Sequence, residues 1–418
     1  MRISARKILE LLLAFLIMMN CNTVYQRLAF HNLRIEEMTA LLSVLLLIFG
    51  FKYQKNAITG SFLLKLSAIY FCLIVYFIAL TVISYKTSYV YHFLIFLPCI
   101  ITYIYLSGGE NRGIIIYGYF SDFVYYTSVL SSVLWFFMAI IPVLQPNVTA
   151  TVEWGGIRSF PGFLGLCFLA QKEESFGLGL YRNTGLYTEA PMLSLVLSLA
   201  LMYEVFLNHH KSKLRIAVLC LMIISTFSLT GAVMLLIITF FTYMDKIKKS
   251  KVNKLFYLFV LGVIVPVVFV FLAVILERKS LTSSYNTRFI DYLVGIRAFI
   301  SNPVFGVGYN NLEQFMVYKE EFYRMAGIPF KNLGYSNGLL AIPGQGGVLL
   351  STIYLLPFIY QLVKGKSRDC RKWIVSYLIL LGFTIFHSRY ISILFIAVAY
   401  SCLLSKRPLA EGIYGEDI

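Results

Sequence analysis

The chain has 418 residues, of which 59% are hydrophobic and only 13% charged. A soluble domain carries about 25% charged and about 45–50% apolar residues, so a soluble enzyme is excluded. Its 36 Lys and Arg against 20 Asp and Glu give a formal net charge of +16. On a soluble protein that surplus would point to nucleic acid; in so apolar a chain the placement of the cations matters more than their number, and no nucleic acid is expected as a partner.

The composition describes one all-α, polytopic membrane domain over residues 1–418. The start, Met1-Arg2-Ile3-Ser4-Ala5-Arg6-Lys7 before an apolar run, has the form of a signal peptide. No small-residue cleavage site follows, so it reads as an uncleaved first helix. A helix needs about 20 residues to cross the hydrocarbon. On that ruler twelve spans are predicted, at 8–24, 39–53, 66–84, 89–106, 121–143, 190–207, 216–228, 231–244, 255–276, 338–363, 373–386 and 390–404. Ser228-Leu229-Thr230-Gly231 reads as a tight turn between the seventh and eighth; one long helix there would invert everything downstream. Charge decides between the two. With twelve spans and both termini cytoplasmic, the cytoplasmic segments hold 22 of the 36 cations, and the short external loops hold only Arg27, Arg34, Lys86 and Arg389. That asymmetry obeys the positive-inside rule.

Two external loops, at 145–188 and 277–337, are much longer than the rest, and long ordered loops on a bundle usually carry function. They balance Arg158, Lys172 and Arg182 against Glu153, Glu173 and Glu174, and seven cations against five carboxylates, so any anion site there must be a local cluster. Their aromatic residues, Trp154 and Tyr187 among them, suit stacking on sugar faces or an interfacial belt. No disulfide is expected: Cys21, Cys72, Cys99, Cys220 and Cys402 lie in apolar runs, Cys370 lies in a basic loop, and only Cys167 is external.

Three constellations could carry chemistry. In Arg182-Asn183-Thr184-Gly185-Leu186-Tyr187-Thr188-Glu189-Ala190-Pro191, Thr188 can cap the sixth span and Glu189 suits a helix N-terminus. The same carboxylate and guanidinium, held by a glycine turn, could also bind or deprotonate a polar substrate. From 286 to 301, Phe289, Leu293, Ile296 and Ile300 follow helical spacing and predict an amphipathic helix stopped by Asn302-Pro303. Arg288 and Asp291 then form a surface i,i+3 pair, while Arg297, at the edge of the apolar stripe, needs an anionic partner. Gly306-Val307-Gly308 follows as a flexible turn. The third runs from Gly334 through Asn337 to Gly347 into the tenth span and is dense in glycine and polar atoms. Walker loops, dinucleotide turns, nucleophile elbows and Cys/His metal spacing are missing, so neither a cofactor nor a metal is expected. Of the histidines only His387, beside Arg389, lies near the proposed site.

In order and placement these elements resemble the bacterial O-antigen polymerase and O-antigen ligase superfamily, over nearly the whole chain. Arg182 to Pro191 is similar to the family's R-x-x-G-x-x-x-E-P element, with Ala190 inserted before the proline. Arg297 followed by Gly308 matches an arginine-x10-glycine element of the polymerase branch; the corresponding positions after Arg158 and Arg182 are Leu169 and Leu193, so the first loop has no counterpart. Ligases carry a His-Asn pair before the tenth span, where this chain has Ser336-Asn337, which favours polymerase. The resemblance implies transfer of a growing glycan from undecaprenyl diphosphate to another lipid-linked repeat, at the outer face of the cytoplasmic membrane. For that reaction Arg182, Arg288 and Arg297 are expected to hold the diphosphate, Arg297 with a catalytic role, and Glu189 to stand near the acceptor hydroxyl as catalytic base or positioner; Arg158 is a reserve cation, Asn337 and His387 are further substrate contacts, and a chain-length regulator and a flippase are the expected partners. The alternatives are an O-antigen ligase and a lipid-linked oligosaccharide flippase.

Overall fold

The computed structural model describes residues 4–30, 33–52, 58–83, 86–108, 111–172, 179–249, 283–327, 329–330, 334–365 and 367–405. Its helices are α1 (Ala5–Met19), α2 (Ile35–Lys52), α3 (Gly60–Ile83), α4 (Thr87–Leu106), α5 (Asn111–Ile140) and α6 (Ala190–Leu207). After these come α7 (Lys213–Ser225), α8 (Leu229–Lys249), α9 (Ser283–Ser301), α10 (Leu312–Met325), α11 (Gly338–Lys364), α12 (Arg368–Phe383) and α13 (Tyr390–Ser405). A helix overlies every predicted span except 255–276, which lies outside the described residues. Among the described residues five helices, α3, α4, α5, α6 and α11, are long and apolar enough to cross a membrane, and α8 and α13 hold shorter apolar stretches. The mostly helical chain is thus built as a membrane protein.

The all-α expectation needs one correction. The first large loop carries a three-stranded antiparallel sheet, β1 (Val148–Glu153), β2 (Ile157–Phe163) and β3 (Cys167–Phe168), in that order. Its β-branched run Val148-Thr149-Ala150-Thr151-Val152 suits a pleated surface, and Gly155 and Gly156, at φ +59 and +106, make the hairpin turn that L side chains resist. Isolated bridges pair Leu28 with Val152 and Thr23 with Tyr187, which ties the sheet and the start of α6 to the segment after α1.

The break between α7 and α8 falls at Thr226 to Ser228, slightly before the predicted turn, with Phe227 at φ +48. Gly231 serves packing instead: a Cβ there would lie 2.4 Å from Ser194 Oγ of α6, the close approach that small residues allow between membrane helices. Toward the start of α1, away from the sheet, buried Glu10 takes hydrogen bonds from Arg112 and Tyr103.

Helix α9 is rotated from its predicted setting. Phe289, Ile296 and Ile300 are exposed, and Ile290, Asp291, Val294 and Ala298 are buried. The side chains that fill this seam are Val307, Phe315, Tyr323, Tyr335 and Ala341, a small core of their own. Two facts choose this face over the more apolar one. Gly295 and Ala298 let α9 approach Leu340 and Gly344 of α11, and Asp291 finds charged and polar partners inside.

Helix α11 is interrupted at Gly347, which has φ +58 and ψ −159. Residues 303–308 cross the interruption and use its backbone groups: Val307 N–H donates to Gly344 O at 3.0 Å, Gly308 N–H to Gln345 O at 3.0 Å, and Val348 N–H to Pro303 O at 2.8 Å. A Cβ on Gly347 would stand 2.2 Å from Val304 O. Gly347→Ala is therefore expected to cost on the order of 1–3 kcal/mol, because it adds left-handed strain to a backbone clash. A thermal midpoint of the detergent-solubilised variant equal to that of the wild type would show that the crossing relaxes freely.

Candidate functional site

The segment after α1, the sheet, the start of α6 and the turn between α12 and α13 meet at one end of the bundle, around Asn22. This residue adopts a left-handed conformation, φ +59, which asparagine tolerates better than most side chains. Its carbonyl accepts from Thr188 N–H at 3.1 Å. Its Nδ2 donates to Met192 Sδ at 3.3 Å, which turns Oδ1 toward two arginines. Arg27 donates to that oxygen through Nε at 3.3 Å and Nη2 at 3.1 Å, and Arg389 through Nη2 at 2.5 Å.

From Arg27 the contacts continue outward. Its guanidinium lies over the Trp154 ring, 5.3 Å from the centroid, and Trp154 Nε1 donates to Glu189 Oε1 at 2.5 Å. Glu189 occupies the N-cap position of α6 with extended backbone, φ −150 and ψ 152, yet its side chain makes no capping bond. Thr188, the expected cap, donates its hydroxyl to Asn22 O instead. The carboxylate of Glu189 is therefore not consumed by its helix. Burial raises its pKa above the ordinary carboxylate value, while the Trp154 hydrogen bond and the fields of Arg158 and Arg182 oppose the rise.

A second group of side chains lies behind Arg389. His387 Nε2 stands 2.8 Å from Gln345 Oε1, and Asn310 N–H donates to the same oxygen at 3.1 Å. An oxygen that accepts from a backbone N–H must also accept from the ring, so Nε2 carries the proton and Nδ1 presents its lone pair. Nδ1 is buried and has no partner among the described residues. Burial, reinforced by Arg389, holds the imidazole pKa down at about 3, so it is neutral at pH 7. Gln345 belongs to the interruption of α11, and Tyr76 donates to its carbonyl at 3.0 Å. The glycine-rich stretch thus serves to expose backbone and set Gln345 against His387.

The other sequence-selected residues divide. Arg182 donates Nε to Thr226 O at 2.8 Å and Nη2 to Phe227 O at 2.9 Å, holding the α7–α8 turn while its charge reaches Glu189. Arg158 is exposed on β2. Asn337 caps α11 by accepting from Leu340 N–H at 2.9 Å. Arg297 is exposed, and Arg288 is half-buried with its pKa lowered by burial against the pull of Asp291 and Tyr292. The expected surface pair of Arg288 with Asp291 is not formed. Asp291 is fully buried, 2.8 Å from Lys319 Nζ of α10, because the rotation of α9 carries it inward. Among the described residues no hydrogen bond or ion pair joins Arg288, Arg297 or Asn337 to Glu189.

Sequence reasoning missed Asn22, Arg27, Trp154, Gln345 and Arg389 as site residues. A signal for two of them was present: Arg27 and Arg389 are cations in short external segments, where the positive-inside rule leaves few. No curated protein matches the chain. Residues 214–355, from α7 through the interruption of α11, match the family model described as O-antigen ligase. That match supports the O-antigen polymerase and ligase superfamily, whose members are membrane enzymes of the glycosyltransferase and ligase type.

Proposed function

We propose that the protein is a polysaccharide repeat-unit polymerase of the cytoplasmic membrane, with twelve spans, both termini in the cytoplasm and the Glu189 carboxylate facing outward. It transfers a glycan from undecaprenyl diphosphate to a hydroxyl at the non-reducing end of another lipid-linked repeat, and requires neither metal nor nucleotide sugar. The observation that carries this reading is the Glu189 carboxylate, left free by its helix, held by Trp154 and within the fields of Arg158 and Arg182. In the transfer, the acceptor oxygen forms the new glycosidic bond, the bond from the anomeric carbon to the diphosphate breaks, and the acceptor proton passes to the carboxylate. The departing diphosphate takes the electron pair and needs cations at the lipid surface.

A ligase is the second reading, favoured by the description of the matching family model. Gene deletion followed by gel analysis of surface glycan separates the possibilities. Loss of the polymerase is expected to leave single-repeat products. Lipid-linked polymer that is never attached would mean a ligase, and repeats retained on the cytoplasmic side would mean a flippase.

A further inference from the structure

The most unusual charge arrangement in the described molecule is the convergence of Arg27 and Arg389 on one neutral oxygen, Asn22 Oδ1. Like charges repel, and both side chains are half-buried, so that repulsion is poorly screened. Burial lowers the pKa of each, and the field of Arg389 adds to the lowering at Arg27, which falls to about 10. The field of Glu36 reaches both and that of Glu153 reaches Arg27, but among the described residues neither guanidinium forms an ion pair. A single amide oxygen accepts from both and neutralises neither. Asn20, whose Oδ1 accepts from the Tyr390 N–H next to Arg389 at 3.4 Å, is buried and has an Nδ2 donor with no partner among the described residues.

We infer that Arg27, Arg389 and Asn22 form a binding site for a phosphate or diphosphate group, the anion inserting between the two guanidiniums where Asn22 Oδ1 now accepts from both. Two planar guanidinium forks suit the several oxygens of such a group better than one carboxylate. The site is joined to Glu189 through Trp154: Arg27 stacks on the indole whose N–H holds the carboxylate. An anion that draws Arg27 toward itself therefore changes the environment of the ring. The inference rests on the reading above only in making the anion's bearer a lipid-linked glycan donor. It also moves the diphosphate away from Arg288 and Arg297, which have no hydrogen bond or ion pair to this cluster among the described residues.

Tryptophan emission of the detergent-solubilised full chain, titrated with inorganic pyrophosphate and with farnesyl diphosphate, tests the site and distinguishes a free anion from a lipid headgroup. Both ligands are expected to give a saturable change that weakens with added salt and disappears in Trp154→Phe. Farnesyl diphosphate is expected to bind more tightly while competing with pyrophosphate. Arg27→Gln with Arg389→Gln is expected to weaken pyrophosphate binding at least about tenfold, one power of ten being about 1.4 kcal/mol. Asn22→Asp is the sharper variant, because it places a carboxylate between the guanidiniums. It should abolish the response while keeping a thermal midpoint no lower than that of the wild type. Wild-type pyrophosphate affinity in either variant, or a wild-type response to farnesyl diphosphate that pyrophosphate does not compete, would overturn the site. The gel phenotype of the deletion strain is independent of this measurement, so the function and the site can fail separately.

Discussion

Glu189→Gln is expected to lower glycan transfer by about 10²- to 10⁴-fold, the range typical of a lost general base, with membrane insertion and thermal stability intact. The substitution is close to isosteric, and the amide oxygen can still accept from Trp154 Nε1. The pH dependence supplies a second readout. Burial raises the Glu189 pKa above its ordinary value of 4.5, so the folded protein prefers the protonated form. The stability associated with that preference is complete below the unfolded pKa and is lost as pH rises through the folded one. At neutral pH the glutamine variant should therefore unfold at or above the wild-type temperature. Activity has the opposite sign: a base must be ionised, so the wild-type rate should climb through the raised pKa, giving an acid limb above pH 4.5 that the variant lacks. Wild-type turnover in Glu189→Gln would reduce the carboxylate to an anchor for Trp154.

Much of the helical layout was legible because it depends on composition and length alone. Apolar runs predict helices, and wherever residues are described those runs are helical. The sheet was also legible in principle, since four of the five residues from Val148 to Val152 are β-branched and Gly155-Gly156 follows; the weight of the surrounding apolar chain hid it. The face of α9 was not legible by the same rule. Hydrophobic periodicity assigns Phe289, Ile296 and Ile300 to the interior, but the surface that α9 meets on α11 demands small residues and a partner for Asp291. The site divides in the same way. Glu189 and His387 stand out by residue type near a loop. Asn22 does not, because its importance comes from a left-handed backbone and from arginines 5 and 367 positions away along the chain. Residues 367 positions apart meet only through folding, and a single sequence carries no sign of that meeting.

Lys319→Met is expected to cost about 3–5 kcal/mol, because it leaves the Asp291 carboxylate buried without its cation. Both side chains are fully buried, 2.8 Å apart. Ser336 donates to Asp291 through its backbone N–H at 2.9 Å and its hydroxyl at 2.7 Å, while Lys319 also donates to Gly334 O. The pair therefore fastens α9, α10 and the entry to α11 in one place. Burial raises the Asp291 pKa even with Lys319 and Ser336 opposing it. Without Lys319 that opposition weakens, so the penalty in the variant should grow as pH rises and shrink as pH falls and the carboxyl takes up a proton. Adding Asp291→Asn to Lys319→Met removes both charges and keeps an acceptor for Ser336. The double variant should recover most of the lost stability, which a simple cavity left by the lysine would not allow. Hydrogen exchange should localise the loss to residues 288–325 and the start of α11, leaving α1 and α6 protected, since the small core under α9 and α10 is separate from the main one. Uniform loss of protection across the bundle would mean instead that this seam is part of the main cooperative unit.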